Sequence, residues 1–287
     1  LESIKEAFCL QSFSSIAKRF GVSVTSIIRW FDKLNYPHPK LPECIAIDEF
    51  RGNAGGEKFQ CNIADPVKHK VIDILPSRST ENLCKHFLEY PYKERAKVKK
   101  IIMDLSTLFR SVAKTMFPEA KIVADKFHVI RVVINSLENV RKRIQKEFHA
   151  TKRKWFKRSR YLLLKPEYKL TSEDKIELAR MLNSSYDLEK AYVLKERFYE
   201  VFRKQTRTES KKELGNWLLL AADLSLPEFR HCITTFSNWK TEIANIIGER
   251  VSNGFIEGSN NKIKVLKRIS YGVQNFDRFR NRILYLQ

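Results

Sequence analysis

The fold is decided by "CIAIDEFRGNAGGEKFQCNIADPVKHKVIDILP", residues 44–76. The apolar runs at 44–50, 58–65 and 70–76 have the length and composition of buried strands. Glycines fill the gap between the first two runs, and Asp65-Pro66 separates the last two; these residue types form turns. The pattern predicts one strand, a glycine-rich turn, and a hairpin closed around Asp65-Pro66.

Downstream of the hairpin, short strands alternate with helices. Ser79 or Thr80 is suited to cap a helix that runs to about residue 89. The runs "VKKIIMD" (98–104) and "AKIVAD" (120–125) indicate strands, and the second precedes a long helix with apolar residues at helical spacing from 130 to 148. Three strands, a helix, then two strands alternating with helices predict an α/β fold, a mixed sheet flanked by helices.

Residues 151–245 carry no strand pattern, and their leucine-rich stretches indicate an all-helical insertion. Thr171 and Asp174 resemble a helix-capping pair within it. We therefore expect four segments: a helix-turn-helix segment (1–40), the first part of the core (41–150), the helical insertion (151–245), and a C-terminal helical part of the core (246–287).

The N-terminal segment "SSIAKRFGVSVTSIIRWFDKL" (14–34) indicates two short helices around a tight turn at Gly21. Ser23 is the expected cap of the second helix, whose core side we assign to Val24, Ile27 and Ile28. Its outward side would act as a DNA recognition helix, as in a helix-turn-helix protein, through Thr25, Ser26 and Arg29. An ordinary helical hairpin has the same spacing and is the alternative.

The charge of the chain points to a polyanionic partner. Lys and Arg number 54 against 33 Asp and Glu, a formal net charge of +21. Neutralising phosphates releases counterions, so nucleic acid is the favoured partner. An anionic membrane is less favoured, because no segment combines a basic face with a wide apolar one, and no apolar run approaches the roughly 18–20 residues of a membrane span.

Neither a secretory signal nor a disulfide framework is indicated, so we expect a cytoplasmic, nucleoid-associated protein. The five cysteines are scattered without a CxxC pair and support neither disulfides nor a zinc site; they are Cys9, Cys44, Cys61, Cys84 and Cys232. The sequence begins at Leu1 rather than Met, and we expect a segment upstream of it.

Three of the predicted strands each carry an aspartate after their apolar run: Asp48, Asp104 and Asp125. Ligands bind beyond the carboxyl ends of parallel strands. Carboxylates gathered there repel one another unless a cation lies between them, and Mg²⁺ prefers such oxygen ligands. One aspartate after a strand is commonly a helix cap, but three in a basic protein favour a metal site.

A fourth acid, Glu257, lies in "SNGFIEGSNNKIKVLKRISYG" (252–272). If this stretch is a helix, Asn261, Lys264 and Arg268 share the face of Glu257, while apolar residues occupy the other side and can pack on the sheet. One helix could then present a carboxylate to metal ions and its next turns to phosphates. A solvated charged face is the alternative.

These motifs together resemble the DDE transposases of the bacterial ISL-three insertion-sequence family. The resemblance rests on "AIDEF" (46–50), "IIMDLS" (101–106), "VADKFHVIR" (123–131) and, most specifically, residues 252–272. It implies an RNase H-like core with Asp48, Asp104 and Glu257 as the catalytic, metal-binding triad and with Asp125 and His128 in support. Family members usually carry a zinc-binding module before the helix-turn-helix region, and no such ligands occur here.

The resemblance further implies a Mg²⁺-dependent enzyme, with Mn²⁺ as a substitute, acting on double-stranded DNA. Water would free a 3′-hydroxyl at a terminal inverted repeat, and that hydroxyl would attack target DNA at the same two-metal site. A homodimer or larger assembly is expected. The alternatives are an RNase H-like nuclease without strand transfer and a non-catalytic DNA-binding regulator, such as a domesticated transposase.

Two further surfaces are predicted to bind DNA. The basic run at 141–160 is one, where Trp155 and Phe156 could stack on bases or anchor the run to the insertion. The C-terminal helices are the other. The predicted contacts outside the helix-turn-helix segment are Arg153, Lys154, Trp155, Asn261, Lys264, Lys267, Arg268, Arg278 and Arg282.

Overall fold

The structure is a computed structural model that describes residues 11–34, 36–249 and 251–286. The chain forms two compact units. The first runs to Val123 and resumes at Val251, and the second begins at Ala124.

The first unit is built on a five-stranded mixed sheet of order β3-β2-β1-β4-β5. β1 pairs antiparallel with β2 and parallel with β4, and β2 pairs antiparallel with β3. The strands are β1 (Cys44–Phe50), β2 (Gln60–Asp65), β3 (Lys70–Leu75), β4 (Lys100–Met103) and β5 (Lys121–Ala124). This confirms the predicted α/β fold, a mixed sheet flanked by helices of the RNase H-like kind.

Helices account for most of the rest of the described chain. In chain order they are α1 (Phe13–Phe20), α2 (Val24–Phe31), α3 (Thr80–Leu88), α4 (Tyr92–Arg95), α5 (Thr107–Met116), α6 (Lys126–Gln145), α7 (Ala150–Arg158), α8 (Arg160–Leu164), α9 (Ser172–Leu182), α10 (Tyr186–Tyr199), α11 (Arg207–Asp223), α12 (Arg230–Asn238), α13 (Lys240–Ala244), α14 (Gly254–Ile269) and α15 (Phe276–Tyr285). Three 3-10 turns lie at Glu167–Lys169, Glu200–Phe202 and Pro227–Phe229.

The local signals for turns and caps are confirmed. The side chain of Asp65 accepts hydrogen bonds from the backbone amides of Val67 and Lys68, both at 2.9 Å, and closes the β2–β3 hairpin. Ser79 caps α3 by accepting from the amide of Asn82. Short polar side chains satisfy the unpaired amides at a turn or helix start, so these residues set the chain direction locally.

One face of the sheet packs against the two C-terminal helices. The buried cluster joins Phe50 of β1 and residues of β3 to α14 and α15; its fully buried members include Ile74, Leu266, Phe279 and Ile283. The buried residues of each helix repeat every three or four positions, so each helix has one apolar face that packs against the sheet. The core therefore fixes α14 against β1, the strand that carries Asp48.

The N-terminal helices form a small packed pair. Gly21 adopts φ +61°, which lets α1 turn into α2, and Ser23 caps α2 by accepting from the amide of Ser26. Ala17 and Ile27 are buried in its core, as predicted for Ile27. Val24, the first residue of α2, is 39% exposed rather than buried.

The second unit is helical, and the described residues between 125 and 249 contain no strand. It begins with α6, upstream of the predicted insertion, and α6 ends at Gln145. Aromatic side chains form part of its core. The ring centroid of Phe198 lies 5.1 Å from that of Phe236, in a stacked arrangement, and 5.0 Å from that of Trp217, in an edge-on arrangement.

The structure also describes four of the cysteines: Cys44, Cys61 and Cys232 are buried and Cys84 is partly so, whereas Cys9 lies outside the described residues. No helix in the described part of the chain is long and apolar enough to cross a bilayer.

Candidate active site

Two of the predicted acids lie side by side in the sheet. β1 and β4 run parallel with Ile47 opposite Met103, so the next residues along the chain, Asp48 and Asp104, continue the same register. Adjacent strands are about 4.8 Å apart, and residues in register project to the same face. Asp48 is 8% exposed within β1, and Asp104 directly follows β4. The sheet thus pairs two carboxylates at the end of its parallel ladder.

Helix α14 covers the face to which Asp48 projects. Ala46 of β1, Ala64 of β2 and Ile256 of α14 form one buried cluster. Side chains two residues apart on a strand share a face, so Asp48 lies on the same side as Ala46. Asn260 follows Ile256 by one helical turn, which carries its side chain over Asp48.

Asn260 holds the Asp48 carboxylate through a buried amide chain. Its Nδ2 donates to Asp48 Oδ2 at 2.8 Å, and its Oδ1 accepts from Asn62 Nδ2 at 2.9 Å. Asp48 Oδ1 accepts from the backbone amide of Glu49 at 2.7 Å. The backbone amide of Glu49 and the side-chain amide of Asn260 are neutral donors, so they orient the carboxylate without cancelling its charge. A hard, negatively charged oxygen ligand held in this way suits Mg²⁺.

Glu257 lies in the first turn of α14, next to the Ile256 that packs on the sheet, and its side chain is partly exposed. Within the described residues, Asp48, Asp104 and Glu257 do not form a group whose ligand atoms all lie within 4.8 Å of one another. The fold therefore brings the two aspartates to neighbouring strands and Glu257 to the helix that crosses that face.

Asp125 and His128 form a pair within the second unit. Asp125 is 2% exposed and caps α6, its Oδ2 accepting from the backbone amide of His128 at 3.2 Å. The same oxygen lies 2.7 Å from His128 Nδ1. A buried carboxylate on one ring nitrogen fixes the orientation of an imidazole. Local spacing at the helix start therefore produces the pair.

An open basic surface lies along the later turns of α14. Its lining residues, which we call the basic surface, are Arg51, Lys264, Lys267, Arg268, Tyr271 and Gly272. Lys267 Nζ lies 3.4 Å from the carbonyl oxygen of Arg51, and its partial burial together with the charge of Arg51 lowers its pKa. Lys264 is exposed and donates to Asn261 at 3.3 Å. Such a surface suits phosphate contacts.

Two of the arginines predicted to contact DNA phosphates form hydrogen bonds with other parts of the protein. Arg282 is 2% exposed; its guanidinium donates to Ser270 Oγ at 2.7 Å and to the carbonyl oxygen of Gln11, and lies 4.6 Å from the ring of Phe13. Burial lowers the pKa of Arg282 to about 10. The predicted DNA contact by Arg282 is therefore wrong, because the residue joins α15 to the N-terminal helices.

Arg278 also bridges these elements. It donates from two nitrogens to the Asp32 carboxylate at 2.9 and 2.6 Å, and these hydrogen bonds raise the pKa of Arg278. A guanidinium already held by a carboxylate gains less from a phosphate. Its contact with DNA stays a prediction.

In the helix-turn-helix segment, Thr25 and Arg29 are exposed on α2, while the Ser26 hydroxyl lies 2.9 Å from that of Ser23. The two outward side chains are thus available to a partner. Their contact with DNA stays a prediction.

The basic helix α7 presents Arg153 and Lys154 to solvent. Phe156 is fully buried, and the indole N–H of Trp155 donates to Glu177 of α9. These contacts agree with the second alternative for the aromatic pair, in which it anchors α7 to the rest of the helical unit.

Sequence reasoning missed three polar residues of this network: Asn260, Asn62 and Ser259. Asn62 Nδ2 donates to Ser259 Oγ at 3.3 Å. The signal was present in the spacing. Ser259 and Asn260 follow the buried Ile256 by three and four residues and so occupy the packing face of α14, where polar side chains need partners.

Comparison with known proteins identifies relatives of this chain. The family model for ISL3-type DDE transposases, described as "Transposase", matches residues 45–283. The transposase for insertion sequence element IS1001 of Bordetella parapertussis is 26% identical over 241 residues, 83% of this chain and 59% of that protein. The transposase for IS1557 of Mycobacterium tuberculosis is 24% identical over 254 residues, 80% of this chain and 57% of that protein.

The chain thus spans under three-fifths of the length of these curated relatives. A shorter match is to a Lactococcus lactis protein called an ATP-dependent protease, 35% identical over 94 residues and 32% of this chain. A match to one third of the chain describes that segment alone.

Proposed function

The chain belongs to the ISL3-type family of DDE transposases, and we propose that it carries the catalytic core of a metal-dependent DNA transposase. The proposed reaction is cleavage at the end of an insertion sequence, followed by joining of the freed 3′-hydroxyl to target DNA. The observation that carries the proposal is the placement of Asp48 in β1 and of Asp104 directly after the neighbouring parallel strand β4, with the helix that bears Glu257 packed against β1.

Asp48, Asp104 and Glu257 are the residues that would hold Mg²⁺, or Mn²⁺ in its place. When bound, two such ions stabilise the charge on the attacking and leaving oxygens of an in-line phosphoryl transfer. The donor set fits: all three are hard carboxylate oxygens, and the amides of Glu49 and Asn260, which are neutral donors, orient the Asp48 carboxylate.

Within the described residues the three acids do not form one tight group, and this agrees with the assignment. In two-metal sites the ions are about 3.5–4 Å apart, so carboxylates that bind different ions need not be close to each other. Asp48, Asp104 and Glu257 would together supply the carboxylate ligands. Asn260 would keep the Asp48 carboxylate in the orientation that metal binding requires.

DNA would be bound by the basic surface beside the site. Lys264, Lys267 and Arg268 lie about two to three turns beyond Glu257 on α14, so a strand whose scissile phosphate is near Glu257 could run along them. Thr25, Ser26 and Arg29 would contact a terminal inverted repeat. Asp125 and His128 keep the supporting role given by their motif, in which the aspartate orients the imidazole.

The proposed partners are transposon-end and target DNA, with the chain acting in the bacterial cytoplasm. Two ends must be joined to one target, so a homodimer or larger assembly is proposed.

The test of the enzyme is nicking of supercoiled plasmid with Mg²⁺ or Mn²⁺, alongside DNA affinity by fluorescence anisotropy. Asp104→Asn should abolish nicking and leave the affinity unchanged, because a missing metal ligand does not alter the basic surface. Asp223→Asn, an exposed aspartate on α11, is the matched control and should nick normally. Normal nicking by Asp104→Asn would contradict the site assignment.

A second assay separates the rival functions. A pre-cleaved oligonucleotide that ends in a 3′-hydroxyl should be joined to plasmid by a transposase, whereas a nuclease would nick the plasmid without joining. Binding without nicking or joining, in the wild type and in a longer chain, would identify a DNA-binding regulator.

A further inference from the structure

A second group of ligand-bearing side chains lies in the first unit. His38 precedes β1, Asp73 lies in β3 and His86 lies in α3. One ligand atom from each comes within 4.8 Å of the other two. The three residues are separated by 35 and 13 positions in sequence, so only the fold brings them together.

The distances suit a small tetrahedral ion. Asp73 Oδ2 lies 3.7 Å from Nδ1 of His38 and 3.7 Å from Nδ1 of His86. Zinc binds histidine nitrogen and carboxylate oxygen at about 2.0–2.2 Å in tetrahedral geometry, which puts neighbouring ligand atoms roughly 3.3–3.5 Å apart. Movements of a few tenths of an ångström would complete the arrangement.

The surrounding groups orient these side chains as in known zinc sites. The Glu89 carboxylate lies 3.0 Å from Nε2 of His38, on the ring nitrogen away from Asp73. The other oxygen of Asp73 accepts from the amide of Ile74 at 2.7 Å and from Arg280. Metal-bound histidines usually donate their second N–H to a carboxylate, and metal-bound carboxylates are hydrogen-bonded in turn.

His86 supplies an independent observation. It is 5% exposed, and its Nε2 is buried without a hydrogen-bond partner, as is the hydroxyl of neighbouring Tyr90. Its other ring nitrogen, Nδ1, lies 3.7 Å from Asp73 Oδ2, which is longer than a hydrogen bond, and is the atom that an ion would bind.

We propose that His38, Asp73 and His86 bind one divalent transition-metal ion, of which Zn²⁺ best suits two imidazoles and a carboxylate. Water would complete the coordination. The site is separate from the all-carboxylate site on β1 and β4 and does not depend on the proposed function. Because His38 lies between α2 and β1, the ion would fasten the connection after the helix-turn-helix segment to β3 and α3.

The test is a ZnCl₂ titration of the chelator-treated, dialysed protein against a chromophoric competing chelator. The variants are His38→Asn and Asp104→Asn. The His38 side chain is 47% exposed, so His38→Asn should fold normally. We expect the wild type to bind one equivalent of zinc tightly and His38→Asn to bind that equivalent at least about tenfold more weakly. Asp104→Asn should bind it as tightly as the wild type.

Co²⁺ gives a readout that carboxylate sites do not share. Wild type and Asp104→Asn should show the intense visible absorption of four-coordinate Co²⁺, and His38→Asn and His86→Gln should not. Equal zinc affinity of wild type and His38→Asn, absence of zinc binding by the wild type, or absence of this Co²⁺ band would each overturn the proposal.

Discussion

Replacing Asn260 by alanine tests whether this residue holds Asp48. The substitution removes a hydrogen bond to a charged group, worth about 1.5–3 kcal/mol, and one between neutral amides, worth about 0.5–1.5 kcal/mol. Asn62 keeps its contact with Ser259, so the second loss is incomplete. We therefore expect the free energy of unfolding to fall by about 2–3 kcal/mol.

The matched control is Asn261→Ala. Asn261 is the exposed neighbour on the same helix, and its side chain accepts one weak hydrogen bond from Lys264. Both substitutions gain the same helix propensity, about 0.5 kcal/mol or more, so their difference isolates the buried network. Urea unfolding followed by circular dichroism gives both values.

Activity supplies the second readout. Because Asn260 orients Asp48 without itself being a proposed metal ligand, Asn260→Ala should reduce metal-dependent nicking and leave DNA affinity unchanged, under conditions where the variant is folded. If Asn260→Ala and Asn261→Ala unfold within about 0.5 kcal/mol of each other and Asn260→Ala nicks as fast as the wild type, the network has neither the strength nor the role argued for it.

Three further outcomes are expected. Lys264→Gln with Arg268→Gln should weaken DNA binding across sequences and reduce the slope of log affinity against log salt by roughly 1 per lost phosphate contact; an unchanged slope would show that these residues do not contact phosphates. Arg282→Gln should lower the melting temperature without changing that slope, because Arg282 is buried; a reduced slope would contradict this. Burial raises the pKa of Tyr36 from 10.0 to about 12, so as the pH rises the tyrosine loses its proton first in the unfolded chain, and the free energy of unfolding falls between those pH values. Tyr36→Phe should lessen this fall in an alkaline denaturation experiment, and an identical fall in wild type and variant would contradict the argument.

The secondary structure could be predicted because its signals are local. The strand at 44–50, the Asp65 turn and the Ser23 cap each depend on side chains within a few residues of the backbone groups they satisfy. Pattern alone was weaker at element ends. Val24 was assigned to the core from its apolar character, yet it is exposed at the first position of α2.

The candidate site was predictable only in part. Position after an apolar strand singled out Asp48 and Asp104, and the strands that lead to them, β1 and β4, are parallel neighbours; their role as metal ligands stays a prediction. Asn260 was overlooked because its partners, Asp48 and Asn62, are about 200 residues away in sequence. Arg282 was assigned to DNA from its charge, which says nothing about burial.

By itself the sequence determined the order of strands and helices, the caps and turns, the net charge of +21, and the motifs that identify the family. Those properties follow from residue type and short-range spacing. Only the tertiary structure decided that Asn260 lies against Asp48, that Arg282 is internal, and that His38, Asp73 and His86 meet. Such contacts depend on how helices pack across the sheet, and the packing of distant segments is not encoded in any local pattern.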